Sequence, residues 1–352
     1  MAVEPTSLAL LACDRTDDRS AAAWQEVLQP FASLEFVVSD AAKGIAAGVQ
    51  AVAASRAEQT SPVPLTHGLD VFHTAQEAQR VLAGPWRRAE AAWEGAEAAD
   101  REVAADKRQG RDSRGAAQRA RRAWARAEQA LAVVERQETA WQQVRAALAL
   151  FGADGRLNER TRAEAHIRAA LVDLHGPQWQ KVRNYLSDPR CLAFLERLQQ
   201  RLVAAEPDEA QRAGWARRWW LRHHGPQAAG ATTTVVEQAG RLVDEVIRQR
   251  VLSAEEQAAY EKVAAVLRTT VRASSAVEGI NSVLRMQQCR HRRMTQGMLD
   301  LKRLYWNCRR LPTGHRRKHC PYELLGLKLP TFDFWTLLQN APAKQEQTVS
   351  TQ

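Results

Sequence analysis

Asp40, Asp70, His73 and Glu278 are the residues whose types and surroundings best suit metal-assisted chemistry in this sequence. Asp40 ends the apolar run LEFVVSD, so it stands just past the C-terminal end of an expected buried strand. A carboxylate there is well placed to hold a divalent cation at a sheet edge. The plainer role is a turn or a helix cap, which Asp also favours. Asp70 and His73 form D-x-x-H after another expected strand. Three residues apart, they face one side of a starting helix and can bind a metal or orient a phosphate, or Asp70 simply caps that helix. Glu278 lies in SSAVEGINSVLR, where Ser275-x-x-Glu278 also reads as a capping box. Gly279 beside it is a poor helix former, a sign that something needs close approach. Asn281 and Arg285 follow on the same helical face at steps of three and four.

Basic residues crowd the stretch after Glu278. Arg290, Arg292, Arg293, Lys302, Arg303, Arg309, Arg310, Arg316, Arg317 and Lys318 all fall within 285–318, with Asp300 as the only acid and Tyr305 and Trp306 interleaved. Such a run suits a phosphate backbone, and a solvated helix face is its plainer role. His315, His319 and Cys320 lie close together after Cys308, but their spacing matches no common zinc module. Eleven Trp is a high count, with most in the middle of the chain, including Trp219 and Trp220. Core packing is the expected role of most of these rings, and stacking on an unpaired base is open to a few.

The net charge of +10 favours a polyanionic partner, DNA or RNA first. A 352-residue chain with 45% hydrophobic and 26% charged residues can build a packed core, which argues against wholesale disorder. Five scattered cysteines without a CxxC pair speak against a disulfide framework and fit a reducing cytoplasm. No apolar run approaches about 18 residues, so no membrane-spanning helix is expected. The opening MAVEPTSLALLAC has no basic leader and reads as strand.

Three textures divide the elements that must hold these residues. Residues 1–73 read as α/β, with buried strands at 8–13, 34–39 and 63–69 alternating with helices at 20–31 and 41–56. That alternation implies a mostly parallel or mixed sheet with its site at the strand ends. Residues 74–272 read as all-helical. Leu82, Trp86, Ala89, Trp93, Ala96 and Val103 form one apolar stripe, and Trp124, Ala127, Leu131, Val134, Trp141, Val144 and Leu148 a second. The polar break flanked by Gly110 and Gly115 predicts an antiparallel helical hairpin. Further helices are expected at 159–174, 189–205 and 234–251. Residues 273–328 form a compact basic block. It holds a helix at 275–292 and another capped by Thr295, with Met298, Leu301, Tyr305 and Cys308 on one face. A turn at Pro312-Thr313-Gly314 and a short helix opened by Pro321 follow. Residues 329–352 read as a tail.

Two strings of residues resemble bacterial insertion-sequence transposases of the DDE class. SSAVEGINSVLRMQQCRHRRMTQGMLDLKRLYWNCRRLPTGHRRKHCPYELLGL is similar to their C-terminal block, and FVVSDAAKGI followed by HGLDVFHTAQEA to their middle block. The resemblance implies an α/β RNase H-like core with a large all-α insertion, helix-dominated overall. It also implies three carboxylates around two Mg²⁺ (or Mn²⁺) ions. Asp40 resembles the second catalytic Asp and Glu278 the final catalytic Glu, both as metal ligands. Asp70 and His73 resemble a supporting D-x-x-H signature, with Asn281 and Arg285 expected to support the Glu helix.

In that family the first Asp lies on the opening strand. This sequence begins at what resembles the second strand, and Asp14, Asp17 and Asp18 lie after the next one. An incomplete core with its first strand missing, from N-terminal truncation, is therefore expected. The activity implied is Mg²⁺-dependent cleavage and strand transfer at insertion-sequence ends. The implied partner is double-stranded DNA, bound by a homo-oligomer in the bacterial cytoplasm, nucleoid-associated and without membrane contact. With the first Asp absent, DNA binding with little or no cleavage is expected. Two other readings stay open: a non-catalytic DNA-binding remnant or regulator of transposition, and a helical scaffold with incidental charge.

Overall fold

The computed structural model describes residues 1–58, 63–224, 235–288, 294–314 and 316–340. In chain order the first elements are β1 (Ala2–Glu4), β2 (Ala9–Ala12), α1 (Ala21–Leu28), β3 (Phe36–Ser39), α2 (Lys43–Ala57) and β4 (Thr66–Leu69). Helices α3 (Val71–Arg108), α4 (Arg114–Ala147), α5 (Arg160–Ala170), α6 (Gln180–Ser187), α7 (Ala193–Ala205) and α8 (Glu209–His224) follow. The chain continues through α9 (Val235–Gln249), α10 (Ala254–Arg268), α11 (Ser275–Gln288), α12 (Gln296–Cys308), α13 (Pro321–Leu324) and α14 (Phe334–Gln339). Helix dominates, as expected. Among the described residues no helix is long and apolar enough to cross a membrane.

The described strands do not form the single parallel or mixed sheet that the alternation implied. They pair as two two-stranded sheets, β1–β2 antiparallel and β3–β4 parallel. Residues 5–8 reverse the chain tightly enough, with Leu8 at φ +63°, for β2 to fold back on β1. Two compact units interleave along the sequence. One comprises Met1–Glu35, Ala42–Leu65 and Ser274–Gln352, the other Phe36–Ala41 and Thr66–Ala273.

In the first unit, Leu10 and Cys13 of the hairpin region pack with Ile280 of α11 and Leu299 of α12. Asn307, 1% exposed, gives its side-chain oxygen to the Leu10 N–H at 2.8 Å and its amide N–H to the Leu10 carbonyl at 3.0 Å. It thereby completes the hydrogen bonding of β2 where a further strand would otherwise be needed. Trp306 Nε1 donates to the Leu8 carbonyl at 2.9 Å. Thr295 caps α12 as expected, accepting from the Met298 N–H. The face of α12 differs from expectation: Leu299, Asn307 and Cys308 are buried while Leu301 and Tyr305 are exposed. Bonding of Asn307 and Trp306 to the hairpin backbone fixes that rotation. Helices α1 and α2 meet at Gly44 and Gly48, where an added Cβ would lie 1.8 Å from the Arg19 carbonyl oxygen and 2.5 Å from Trp24 Cβ.

In the second unit, α3 and α4 form the expected antiparallel hairpin. Trp86 reaches Glu138, Trp124 reaches Asp100, and Arg119 reaches Glu102, so residue sums stay nearly constant along the pair. Ala89, Ala96, Ala116, Ala120 and Ala127 are buried in its seam, small enough to let the two backbones approach. Trp93 is an exception to its predicted stripe, partly exposed and packed edge-on against Trp124. Leu82, Trp141, Val144, Ile167, Trp179 and Leu195 belong to the main core of this unit.

Candidate functional site

Strands β3 and β4 run in parallel with Ser39 paired to Leu69. The next residues are Asp40 and Asp70, so two carboxylate-bearing residues leave adjacent strands at one level. The Asp70 N–H closes the ladder on the Ser39 carbonyl at 2.8 Å. In parallel sheets side chains just beyond such C-terminal ends meet at a common edge. Gly68 is required in this pair, because a Cβ there would sit 2.6 Å from the Phe36 ring.

The two carboxylates have different surroundings. Asp40 is exposed. Asp70 is fully buried, caps α3 by accepting from the Phe72 N–H at 2.7 Å, and lies 3.7 Å from His73 Nε2. The capping role weighed for Asp70 is thus present, together with the imidazole contact that D-x-x-H allows.

A hydrogen-bonded chain unseen in the sequence supports Asp40. Arg190 Nη1 meets His67 Nδ1 at 3.1 Å, and His67 Nε2 meets Ser39 Oγ at 2.8 Å. A guanidinium can only donate, so Nδ1 accepts and Nε2 carries the ring proton. Ser39 Oγ then receives from His67 and donates to the Asp40 carbonyl at 2.9 Å. Burial, with the Arg190 charge, pulls the His67 pKa down to about 4, which keeps the ring neutral near pH 7. In this tautomer His67 cannot take a proton from Ser39, so the pair is a positioning device and not a nucleophile–base dyad. Asp188 holds Arg190 at 2.6 Å. The hydrogen bonds from Arg190 pull the Asp188 carboxyl below its usual range.

Tyr185 closes the same edge. Its hydroxyl oxygen accepts from the Ala41 N–H at 2.7 Å. Its pKa is raised by burial first, with the negative charges of Asp40 and Asp70 adding to the rise. The only sequence signals for this group are a His two residues before a strand end and a short Asp-Pro-Arg turn, neither specific.

Glu278 belongs to the other unit, exposed in the first turn of α11. The expected capping box on Ser275 is out of register. The Ser274 carbonyl receives the first helical bonds, from Val277 and Glu278 N–H, so Ser274 is the cap residue and Glu278 sits one position past the box. Asn281 is half-buried and Arg285 exposed, while Ile280 turns into the core. Apart from its chain neighbours and its own helix backbone, no described atom lies within 4 Å of where a Gly279 Cβ would stand, so packing against the described residues does not account for that glycine.

The expected DNA surface divides in two. Arg316 donates to the Thr6 and Pro5 carbonyls, and Arg303 to the Leu11 carbonyl, with Asp300 3.6 Å away. Arg310 donates to the Lys318 carbonyl and lies 3.6 Å from Glu323. These three guanidiniums tie their own unit together, a role their exposed-cation reading did not include. Arg309, Arg317 and Lys318 are exposed and Lys302 half-buried. Arg290, Arg292 and Arg293 lie outside the described residues.

Hard oxygen donors at the strand ends suit Mg²⁺ or Mn²⁺ in kind. The fit within the unit is partial. Asp40 and Asp70 supply the carboxylates, and no group of three or more His, Cys, Asp or Glu suited to one ion occurs among the described residues. No family model, curated protein or solved structure matches the chain.

Proposed function

We propose that this chain is a DNA transposase of the DDE class, with an RNase H-like core and an all-α insertion, acting on the ends of an insertion sequence. The observation that carries the reading is the placing of Asp40 and Asp70 at paired C-terminal ends of two parallel strands. That placing agrees with the resemblance of FVVSDAAKGI and HGLDVFHTAQEA to the family's middle block. In this reading Asp40 and Glu278 are metal ligands. Bound Mg²⁺ or Mn²⁺ would activate an attacking water or 3′-hydroxyl and stabilise the leaving oxygen. His67 and Ser39 hold the Asp40 backbone, and Asp70 with His73 fixes the start of α3. The exposed cations Arg309, Arg317 and Lys318 hold the phosphate backbone of double-stranded DNA, on which a homo-oligomer assembles.

A second reading, a non-catalytic DNA-binding remnant or regulator of transposition, is favoured by one observation. The Asp70 carboxylate is buried and already accepts a backbone N–H, leaving Asp40 as the exposed carboxylate at this edge. One experiment separates the two. The purified chain is incubated with DNA flanking its own gene, with and without Mg²⁺ or Mn²⁺, and strand nicking and binding are both followed. Metal-dependent nicking that Asp40→Asn and Glu278→Gln each abolish supports the transposase. Binding without nicking supports the remnant, and failure to bind contradicts both.

A further inference from the structure

A cavity of about 760 Å³ opens within the second unit, walled in part by Phe72, Arg145, Trp219, Trp220, His224 and Arg272. Its volume lies in the range of small-molecule and cofactor sites. The chemistry of its walls is one-sided: aromatic rings and cations line it, and among the described residues no Asp or Glu does. Arg145 and Arg272 make only neutral contacts, to Gln142 Oε1 at 3.2 Å and to the Leu148 carbonyl at 3.1 Å. Neither has a carboxylate partner among the described residues, so both keep their charge for an anion.

The rings are not equally available. Trp219 stacks with Phe151 and His223, and Trp220 with His224. Phe72 is 43% exposed and has only a tilted contact with His73. It therefore offers the free ring face. The Trp219 Nε1–H is buried with no acceptor among the described residues. A buried donor of this kind is normally satisfied, and a carbonyl on a guest would satisfy it.

We infer that this cavity binds one unpaired nucleotide, its base stacked on Phe72 and its phosphate held by Arg145 and Arg272. A planar aromatic anion meets all three features at once: ring face, cations without acids, and an unused N–H donor. The location also suits a strand. Phe72 is two residues beyond Asp70 in the first turn of α3, and the Val71 N–H bonds to the Arg272 carbonyl at 3.0 Å. A nucleotide here extends a strand whose neighbouring phosphate lies toward the Asp40–Asp70 edge. In that placement the inference rests on the proposed function; the pocket's preference for a base does not.

The test uses a short single-stranded oligonucleotide carrying one 2-aminopurine, and the same strand with an abasic site in its place. The full chain is expected to quench the 2-aminopurine and to bind the abasic strand about tenfold more weakly. Phe72→Leu, which keeps bulk but removes the ring, and Arg145→Gln are each expected to weaken the base-bearing strand by a similar factor. Both should leave the circular dichroism spectrum unchanged. Equal affinity for the two strands, or variants that bind both like the parent, overturns the inference. Duplex nicking is scored separately. Base-dependent binding without nicking keeps the pocket and removes the transposase reading, and nicking with equal strand affinities does the reverse.

Discussion

Arg190 donates to His67 Nδ1 at 3.1 Å, and this contact dictates that His67 is neutral with its proton on Nε2. The ring's pKa, pushed down to about 4, sets the pH behaviour of this edge. The unfolded chain takes up the proton near pH 6.5 and the folded one near 4. The contribution of His67 to stability is therefore flat above about pH 6.5 and falls as pH drops from there toward 4, where its loss saturates. The span corresponds to about 3 kcal/mol before solvent screening, and roughly 1–2 kcal/mol after it. Urea midpoints across this window check it. His67→Gln, which cannot titrate, should show a clearly smaller slope.

Asp70 is expected to serve the fold first. Asp70→Ala removes the cap of α3 and should cost about 1–2 kcal/mol. Asp70→Asn keeps an acceptor for the Phe72 N–H and should recover most of that loss. Denaturant unfolding of the two variants distinguishes a cap from a merely buried charge, for which Asn would not rescue.

The glycines make opposite predictions. Gly48→Ala places a Cβ 2.5 Å from Trp24 Cβ, and overpacking of this kind costs about 1–3 kcal/mol. Gly279→Ala meets no described atom within 4 Å beyond its chain neighbours and own helix backbone, and should raise stability by about 0.5–1 kcal/mol. If Gly279 instead admits a DNA backbone beside Glu278, the same variant will be more stable yet bind duplex DNA more weakly. Thermal unfolding and binding measured on one preparation test this pair.

Salt dependence separates the two kinds of arginine. Removing an exposed phosphate-contacting cation, as in Arg309→Ala or Arg317→Ala, should lower the slope of log K against log salt by about 0.9 for duplex DNA, without loss of stability. Arg316→Ala should act differently. It breaks two bonds to the Pro5 and Thr6 carbonyls and should cost about 1–3 kcal/mol, with no change in slope beyond that of partial unfolding.

Much of this was legible in residue order. Periodicity located the α3–α4 hairpin, because a 3.6-residue stripe survives whichever partner covers it. Thr295 announced α12 by its cap chemistry, and the run before Asp40 announced β3. Pairing was not legible. Short apolar runs say nothing of their neighbours, and Asn307 satisfies β2 from the far end of the sequence. The rotation of α12 followed from that long-range bond, so Leu301 and Tyr305 ended on the open side. The site was half legible: Asp40 and Asp70 stand out after strands, whereas the His67–Arg190 contact joins positions with no local pattern. Among the cations, charge alone could not tell Arg309, which faces solvent, from Arg316, which ties down a turn.

The central claim is that Asp40 and Glu278 are each metal ligands, and Mn²⁺ binding followed by electron paramagnetic resonance tests it most directly. If both are ligands, Asp40→Asn and Glu278→Gln each weaken Mn²⁺ binding by more than about tenfold. If Glu278→Gln leaves the Mn²⁺ titration of the parent unchanged, Glu278 is no metal ligand, and the transposase reading is contradicted.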